Sequence, residues 1–433
     1  MNLSLYRQKL TTVEKAVRSV RDGDLLMYSP TMAEPPALLS ATATQLRSGS
    51  LDKIRVFSAL PLKHSLETIL AEDLYDSIDF LTYFVSSGER DLVRKGIHHY
   101  FPCHFHEVPR VVSEHMDVDI VMLTVSPMDN QGYFSYGTEN TFISTAARLG
   151  KVLIVEVNRY MPRVFHDAPL HVSDVDFIVE NHQPLMVIPP TESSREDIAI
   201  GKIIAEMIPD EATIQLGLGN LPSAVASFLE HHKNLGIHTE VFCPALVLLI
   251  KKGVVNGSKK TLHPYKHTFT VAIGDREMLD FIDDNPTVYS FPVSYNNNPW
   301  VIAQNDKMIS INSVIEVDLF GQCNAESLEG HQFSGAGGQV DYVRGAYASK
   351  GGKSILSFHS TAKQGTISRI VPRLREGASV TTSRMDTHWL VTENGAANLK
   401  GKCTRDRALT IIELAHPDFQ EDLLQAAKDM KIV

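Results

Sequence analysis

The feature that most constrains the fold is a regular alternation of short apolar runs with amphipathic segments along most of the chain. Short apolar runs bounded by turn residues are typical of buried strands, and longer amphipathic segments are typical of helices. Strands that alternate with helices form parallel sheets covered by helices. In the first half we predict strands over Leu25–Tyr28, Ile54–Ser58, Ile78–Phe84, Ile120–Val125 and Val152–Val157, with helices over Ala37–Arg47 and Thr141–Leu149.

The alternation begins again after the paired prolines of Leu185–Thr191, which indicate a linker. We therefore predict an α/β protein of two open α/β domains, residues 1–190 and 191–433, with the ligand site at their interface. In the second half we predict a helix over Ser194–Met207 and strands over Thr213–Leu216, Gly236–Phe242, Thr268–Ala272, Val288–Ser290, Met308–Val317, Ser354–Phe358 and Trp389–Thr392.

Composition excludes several classes of protein. The chain has 433 residues and a net charge of −10, which argues against nucleic acid as a partner because phosphate contacts need cations. Its four cysteines are scattered without a CxxC pair, as in reduced cytosolic proteins. The amino terminus lacks the apolar core of a signal peptide, and no apolar run approaches the ~20 residues of a membrane helix. We expect a cytoplasmic protein with no membrane partner and no metal, since no HExxH motif occurs.

The stretch from Ile214 to Glu240 contains the first candidate site. A strand-like run leads into a glycine turn with Gly217 and Gly219, and a helical segment and a second run then lead to Glu240. Such a turn can cradle a phosphate or a carbonyl oxygen at the start of a helix. A dinucleotide-binding fold would use Glu240 to hold a ribose, whereas an acyl-transfer enzyme would use it as a nucleophile. Pro222 stands where the dinucleotide fingerprint has its third glycine, which favours the second interpretation.

A second glycine cluster lies at Ser334–Asp341, with the sequence SGAGGQVD. It is either a plain turn or a set of backbone amides facing an oxyanion. Upstream of it, we expect Glu316 and Asp318 to serve structural hydrogen bonds, and we keep Glu326 as a secondary catalytic candidate.

Taken together, these segments resemble the acetyl-CoA hydrolase/transferase family (family I CoA-transferases), most closely its 4-hydroxybutyrate or butyrate CoA-transferase branch. The resemblance covers nearly the whole chain, with several motifs in the same order at similar spacing. Its motifs here are SPMDNQGYFSYG, IVEVNRYMPR, IQLGLGNLPSAV, LGIHTE, INSVIEVDLFGQCNAES, SGAGGQVDYVRGA, SKGGKSI and IIELAHPDF.

The resemblance implies a pair of open α/β domains with the active site between them, and a set of functional residues. Glu240 corresponds to the family's nucleophile, and Gly338 is the expected contact to the oxyanion. Ile315 would lie on the strand beside the CoA channel. The CoA-binding residues implied are Gly217, Leu218, Gly219, Asn220, Leu221, Ile315, Gly335, Gly337 and Gly338.

The implied reaction is a ping-pong transfer of CoA through a glutamyl-CoA thioester on Glu240. The donor would be acetyl- or succinyl-CoA, and the acceptor a small carboxylic acid of the 4-hydroxybutyrate, butyrate or itaconate type. Coenzyme A is then a substrate, no prosthetic group or metal is needed, and a homo-oligomer (a dimer or a dimer of dimers) is expected. An acyl-CoA thioesterase using the same glutamate remains an alternative, a non-catalytic CoA-binding protein is less favoured, and an NAD-binding dehydrogenase is a distant alternative.

Two positions depart from the family pattern. Cys243-Pro244-Ala245 stands where relatives usually have a small polar and acidic turn, and Gln131 stands where many have histidine. Proline fixes its own φ and lacks an amide donor, so the backbone after Glu240 is expected to differ. Acyl exchange remains the prediction, and the identity of the carboxylic acid stays open.

Overall fold

The computed structural model describes residues 2–188, 192–217 and 219–433 and divides the chain into two compact units. The first unit comprises Met1–Ile188 with Phe269–Tyr295, and the second comprises Pro189–Thr268 with Asn296–Val433. By its contacts, the segment 269–295 therefore groups with the first unit, although it lies far along the chain. The domain division at residue 190 stays a prediction.

The centre of the first unit is a parallel sheet whose strands are all joined by helices or loops of the same unit. Among the described residues its strand order is Phe177–Glu180, Val152–Val157, Ile120–Val125, Leu25–Tyr28, Ile54–Ser58, Ile78–Thr82 and His98–Tyr100. The α-helices of this unit are Asn2–Lys9, Val13–Val17, Pro36–Arg47, Lys63–Glu67, Arg90–Arg94, Val108–His115, Ile143–Leu149 and Arg276–Ile282, and short strands lie at Tyr133–Phe134, Phe165–His166, Leu170–His171, Val271–Ala272 and Val288–Ser290.

Both faces of this sheet are buried. In the strand Leu25–Tyr28, Leu25 and Met27 belong to one apolar cluster, while Leu26 and Tyr28 belong to another. Successive side chains of a strand point to opposite faces, so the two clusters are the two sides of the sheet. A sheet covered on both faces needs continuous apolar strands, which explains why its strands appear as unbroken apolar runs in the sequence.

The second unit is built around a second, mostly parallel sheet. Within the part of the chain that the structure describes, its order is Gly236–Ile237, Thr213–Leu216, Met308–Ser313, Lys353–Ser357, Trp389–Thr392 and Gly395–Asn398, with only the last pair antiparallel. The α-helices are Arg195–Met207, Asn220–Ser227, Pro244–Lys251, Pro299–Ile302, Gln339–Ala348, Thr404–Glu413 and Pro417–Asp429, and short strands lie at Val241–Phe242, Glu316–Asp318, Cys323–Asn324, Ser327–Leu328, His331–Gln332, Thr361–Ala362, Ile367–Ser368 and Ile370–Val371. The chain passes between the units within the strand His267–Phe269 and the helix Val293–Asn296.

The α/β fold with parallel sheets that the sequence predicts is confirmed, and three predicted strands of the second half are corrected. Gly236–Phe242 is interrupted at residues 238–240, Met308–Val317 at residues 314–315, and Thr268–Ala272 at residue 270. Ile315 therefore lies in a bend between the strands Met308–Ser313 and Glu316–Asp318. Its amide donates at 2.7 Å to the carbonyl of Asn324, a residue of the short strand that pairs with Glu316–Asp318. None of the described helices has the length and hydrophobicity to cross a membrane.

Candidate active site

Glu240 lies in a bend just after the strand Gly236–Ile237 and is half-buried. Its neighbour Thr239 is anchored on both sides: its amide donates to Thr268 O at 3.0 Å, and its hydroxyl donates to Leu216 O at 3.1 Å. Leu216 is the last residue of the adjacent parallel strand. These bonds fix the backbone of Glu240 at the carboxyl edge of the second sheet, the edge where open α/β sheets bind ligands.

Two amide donors meet the Glu240 carboxylate. Asn297 Nδ2 lies 2.6 Å from Oε2, and the backbone N–H of Gly338 donates to the same carboxyl group. Gly338 is also the residue from which the helix Gln339–Ala348 begins. The first amides of a helix carry partial positive charge, so this position favours an anionic group.

Gly338 has to be glycine because of space, not because of its backbone conformation. Its φ of −87° is accessible to any residue. A Cβ at this position would lie 1.9 Å from Glu240 Oε2 and 2.3 Å from Asn297 Nδ2, far inside van der Waals contact. The absence of a side chain lets the helix terminus reach the carboxylate.

The pKa of Glu240 is raised from its ordinary value to about 7. Burial is the main cause, since it penalises the charged form, and the negative charge of Asp341 adds to it. The hydrogen bonds from Asn297 and from the Gly338 amide act in the opposite direction. A large share of Glu240 is therefore ionised at neutral pH, and the ionised carboxylate is more basic, and hence a better nucleophile, than one with an ordinary pKa.

The predicted CoA loop leaves the same edge of the sheet. The strand Thr213–Leu216 leads into Gly217, and Gly219, with φ of 111°, is the N-cap of the helix Asn220–Ser227. Such a positive φ is the reason for glycine at residue 219. Leu218 lies outside the described residues, and Leu221 is buried at the start of the helix.

Of the second glycine cluster, the structure brings Gly338 to Glu240. Gly335 is buried and Gly337 has a left-handed φ of 51°, so the loop makes a tight turn into its helix. The role of Ile315, Gly335 and Gly337 as CoA contacts stays a prediction. So do those of Gly217, Leu218, Gly219, Asn220 and Leu221.

The sequence analysis missed Asn297. It lies in the run Tyr295–Trp300, YNNNPW, where three consecutive asparagines precede a proline. The third, Asn298, caps the helix Pro299–Ile302, which is the ordinary use of asparagine before a helix. The signal for a site was that one cap does not need three asparagines, but sequence alone could not show which of them faces Glu240.

The other acidic candidates are held in structural hydrogen bonds. Glu326 Oε1 accepts from the Thr381 hydroxyl at 2.9 Å, and Asn324 donates to Glu316 at 3.1 Å. Asp318 accepts from the amide of Phe320 at 3.0 Å. The expectation for Glu316 and Asp318 is confirmed, and Glu326 is oriented in the same way.

The departure after Glu240 has a local explanation. Cys243 is the N-cap of the helix Pro244–Lys251, and Pro244 occupies its first position. Proline fits there because the first amides of a helix have no partner within it. Cys243 is buried, and burial raises the pKa of its thiol to about 11, so it is a packing residue rather than a second nucleophile.

Across residues 2–188, 192–217 and 219–433, no group of three His, Cys, Asp or Glu is arranged to hold a metal ion.

Several known proteins are similar in sequence to this chain along nearly its whole length. The 4-hydroxybutyrate coenzyme A transferase of Clostridium kluyveri is 42% identical over 98% of both chains. The crystal structure of RipA from Yersinia pestis is 48% identical, covers 100% of both chains and superposes with a TM-score of 0.96. The 4-hydroxybutyrate CoA-transferase of Porphyromonas gingivalis is 36% identical, with 99% of this chain and 100% of that one covered and a TM-score of 0.86.

Fold and relatives together define an α/β enzyme of the CoA-transferase class. Two family models match the chain. The model of the acetyl-CoA hydrolase/transferase N-terminal domain matches residues 2–189, and the model of the C-terminal domain of the same family matches residues 274–427. The chain belongs to the acetyl-CoA hydrolase/transferase family.

Proposed function

We propose that this enzyme transfers CoA from an acyl-CoA to a small carboxylic acid by a ping-pong mechanism, with Glu240 as the nucleophile. The donor is acetyl- or succinyl-CoA, and the acceptor is of the 4-hydroxybutyrate, butyrate or itaconate type. The choice of 4-hydroxybutyrate is supported by the names of the Clostridium and Porphyromonas relatives. A butyryl-CoA:acetate CoA-transferase 36% identical to the chain supports short acyl groups in general.

The chemistry balances through two acyl anhydrides. Ionised Glu240 attacks the acyl-CoA carbonyl and expels CoA thiolate, which leaves an anhydride between the acyl group and Glu240. The thiolate then attacks the Glu240 carbonyl, forms glutamyl-CoA and releases the first acid. The acceptor carboxylate repeats these steps in reverse, which yields the new acyl-CoA and regenerates the Glu240 carboxylate. Each thioester is replaced by another, so the exchange needs no energy source, and the covalent route divides a difficult displacement into easier steps.

The observation that carries this proposal is the contact of Glu240 with two amide donors. Asn297 and the Gly338 amide hold the carboxylate in the ground state. They lie within reach of the tetrahedral oxyanions that form when the Glu240 carbonyl is attacked. Removing one such donor costs about 3 kcal/mol of transition-state stabilisation in other acyl-transfer enzymes.

The glycine turn before the helix Asn220–Ser227 is the part of this unit that we assign to CoA. Gly217 and Gly219 lie between the strand Thr213–Leu216 and this helix, at the carboxyl edge of the sheet and beside the strand that leads to Glu240. Backbone amides at a helix start bind anionic groups such as the CoA phosphates. Gly217, Leu218, Gly219, Asn220 and Leu221 remain the proposed contacts.

Trapping the covalent intermediate tests the nucleophile. Incubation with an acyl-CoA followed by borohydride should reduce the glutamyl thioester, inactivate the enzyme and change the mass of the peptide that contains Glu240. Glu240→Ala should give neither the modified peptide nor exchange activity. The matched control is Glu230→Gln, because Glu230 is an exposed carboxylate of the same unit paired with Lys252. Full exchange activity in Glu240→Ala would overturn the mechanism.

A substrate panel separates transfer from hydrolysis. Acetyl-, butyryl-, 4-hydroxybutyryl-, succinyl- and itaconyl-CoA are each assayed with and without an acceptor acid. Turnover that depends on the acceptor identifies the transferase and ranks its acids. Equal turnover without an acceptor would show that water takes the place of the acid, as in a thioesterase.

A further inference from the structure

We propose that Lys260, Thr268 and His238 form a buried hydrogen-bond chain, which we call the Lys260 relay, and that this relay positions Asn297 against Glu240. The relay residues touch no reacting atom, so they are positioning residues. The inference rests on the proposed role of Glu240 as nucleophile. In this proposal, the hydrogen bonds of the Lys260 relay fix one tautomer of His238. This tautomer in turn holds the backbone segment that carries the Asn297 side chain.

The relay starts at Lys260, an unusual residue because it is buried without a carboxylate partner among its described contacts. Its Nζ lies 2.7 Å from Ile237 O, 2.8 Å from Lys266 O and 3.3 Å from Thr268 Oγ1. An ammonium group has three donors and no acceptor, so these three oxygens use all of its protons. Thr268 Oγ1 therefore accepts from Lys260, and its own proton has to go elsewhere.

The Thr268 proton has two possible acceptors. Ile237 O lies 3.4 Å away and already accepts from Lys260 at the shorter distance, whereas His238 Nδ1 lies 3.2 Å away. Donation to Nδ1 requires this nitrogen to be unprotonated. The other ring nitrogen, Nε2, lies 2.7 Å from Asn296 O, a carbonyl that can only accept. Both bonds thus require the same neutral tautomer, with the proton on Nε2.

The charges around the relay agree with this tautomer. Burial, and to a smaller extent the charge of Lys260, lower the pKa of His238 to about 3. His238 is therefore neutral. The same two causes lower the pKa values of His263 and His267, the other titratable groups that respond to Lys260. Burial lowers the pKa of Lys260 to about 7, and its three oxygen acceptors favour the charged form.

The relay ends at the catalytic carboxylate through two asparagines. The Asn296 carbonyl that accepts from His238 belongs to the peptide bond between Asn296 and Asn297. Asn296 Nδ2 donates to Thr239 O at 2.6 Å, which ties this segment to the residue before Glu240. The next side chain, Asn297, donates to Glu240 Oε2 at 2.6 Å. A change of tautomer would place an unprotonated Nε2 opposite the Asn296 carbonyl, and the repulsion between the two acceptors would displace the peptide that carries Asn297.

The test compares Thr268→Val, which removes the hydroxyl at nearly the same volume, with Thr268→Ser, which keeps it. In Thr268→Val we expect kcat to fall about 10-fold or more with KM for acyl-CoA nearly unchanged, because the lost interaction acts on the transition state. The acid limb of the pH profile of kcat/KM should move to higher pH, since the Asn297 bond lowers the pKa of Glu240. Thr268→Ser should restore both values. A normal kcat and pH profile in folded Thr268→Val, or a Thr268→Ser variant as impaired as Thr268→Val, would overturn the proposal.

A measurement on the unmodified enzyme covers the case in which Thr268→Val does not fold. The nitrogen chemical shifts of ¹⁵N-labelled histidine report the tautomer, and His238→Gln identifies which signals belong to His238. A neutral ring protonated on Nε2 is expected, and a ring protonated on Nδ1 or on both nitrogens would overturn the relay. Borohydride trapping in parallel distinguishes the two proposals. If Glu240 is trapped but the His238 ring is not protonated on Nε2 alone, only the relay is rejected. If Glu240 is not trapped, the proposed mechanism itself is rejected.

Discussion

The burial of Glu240 has two effects: it makes the ionised carboxylate more basic, and it lowers the stability of the folded protein when this carboxylate is ionised. Desolvation raises its pKa from 4.5 to about 7, so the folded protein holds a proton that the unfolded chain has already lost between these two values. When the native state binds more protons than the unfolded state, the free energy of unfolding falls as pH rises. The stability contributed by the protonated carboxyl is therefore complete below about pH 4.5 and is lost as pH rises through about 7.

Glu240→Gln removes this titration and nearly keeps the shape of the side chain. At pH 8 we expect the variant to be more stable than the natural enzyme by up to about 3 kcal/mol, because a shift of one pKa unit corresponds to about 1.4 kcal/mol. The difference should shrink towards pH 4.5, where the natural residue is protonated. Urea denaturation of both proteins at several pH values measures it, and exchange activity should be lost throughout. A stability difference that does not change with pH would contradict the raised pKa.

At the scale of single elements, the start of the helix Arg195–Met207 is determined by residues that are close together in the sequence. Ser194 accepts from the amide of Asp197 at 3.1 Å, and Asp197 accepts from the amide of Ser194 at 2.9 Å, so the two residues form a capping box. His359 Nε2 also lies 2.8 Å from Asp197 Oδ1. The cap thus satisfies the first amides of the helix and attaches its start to another part of the same unit.

We expect Ser194→Ala to destabilise this helix by about 1 kcal/mol, the usual cost of losing an N-cap side chain. Peptide-level hydrogen exchange over residues 195–207 should show faster exchange in the first turns. Ser194→Thr keeps a hydroxyl acceptor and should exchange nearly as the natural enzyme does. If the alanine and threonine variants exchanged alike, the capping hydrogen bond would not be the source of the protection.

The elements predicted well and those predicted badly differ in where their hydrogen bonds go. Leu25–Tyr28 and Thr213–Leu216 were predicted with their observed bounds because a buried parallel strand is one apolar run with turn residues around it. Met308–Val317 was predicted as one strand and is broken at Ile315, whose amide bonds to Asn324. The apolar pattern continues through that break because both parts are strands. Met308–Ser313 pairs with Lys353–Ser357 in the main sheet, whereas Glu316–Asp318 pairs with Cys323–Asn324 and Ile370–Val371. The change of partner strands, which depends on later parts of the chain, divides the predicted strand.

The same limit applies to the candidate site. The residues alone singled out a carboxylate after a glycine turn and a cluster of glycines, and the resemblance to the family supplied the roles expected of Glu240 and Gly338. Asn297 was missed because nothing local distinguishes it from Asn298, which serves as an ordinary helix cap. Lys260 was missed for a related reason. One of its acceptors is the carbonyl of Ile237, 23 residues earlier in the chain, and one of two adjacent lysines in a polar stretch has the pattern of a surface residue.

At the scale of the whole molecule, the proposed catalytic cycle makes a prediction about oxygen atoms. When CoA thiolate attacks the Glu240 carbonyl, the first acid leaves with one oxygen that came from Glu240. The acceptor carboxylate then attacks glutamyl-CoA, and one of its oxygens stays on Glu240 when the new acyl-CoA forms. Oxygen thus passes from the acceptor to the enzyme, and from the enzyme to the acid released in the following turnover.

With acceptor acid labelled by ¹⁸O and enzyme in excess over acyl-CoA, a single turnover should leave one ¹⁸O on Glu240 and release unlabelled acid. Mass spectrometry of the Glu240 peptide should show a gain of about 2 Da, the mass difference between ¹⁸O and ¹⁶O, and repeated turnover should transfer the label to the released acid. Direct attack of the acceptor on acyl-CoA would instead label the released acid in the first turnover and leave Glu240 unlabelled. Hydrolysis in ¹⁸O-water is the matched control, because label from water enters Glu240 or the released acid only if water replaces the acceptor. Label on Glu240 from the acid and none from water would therefore establish both the covalent route and the preference for transfer over hydrolysis.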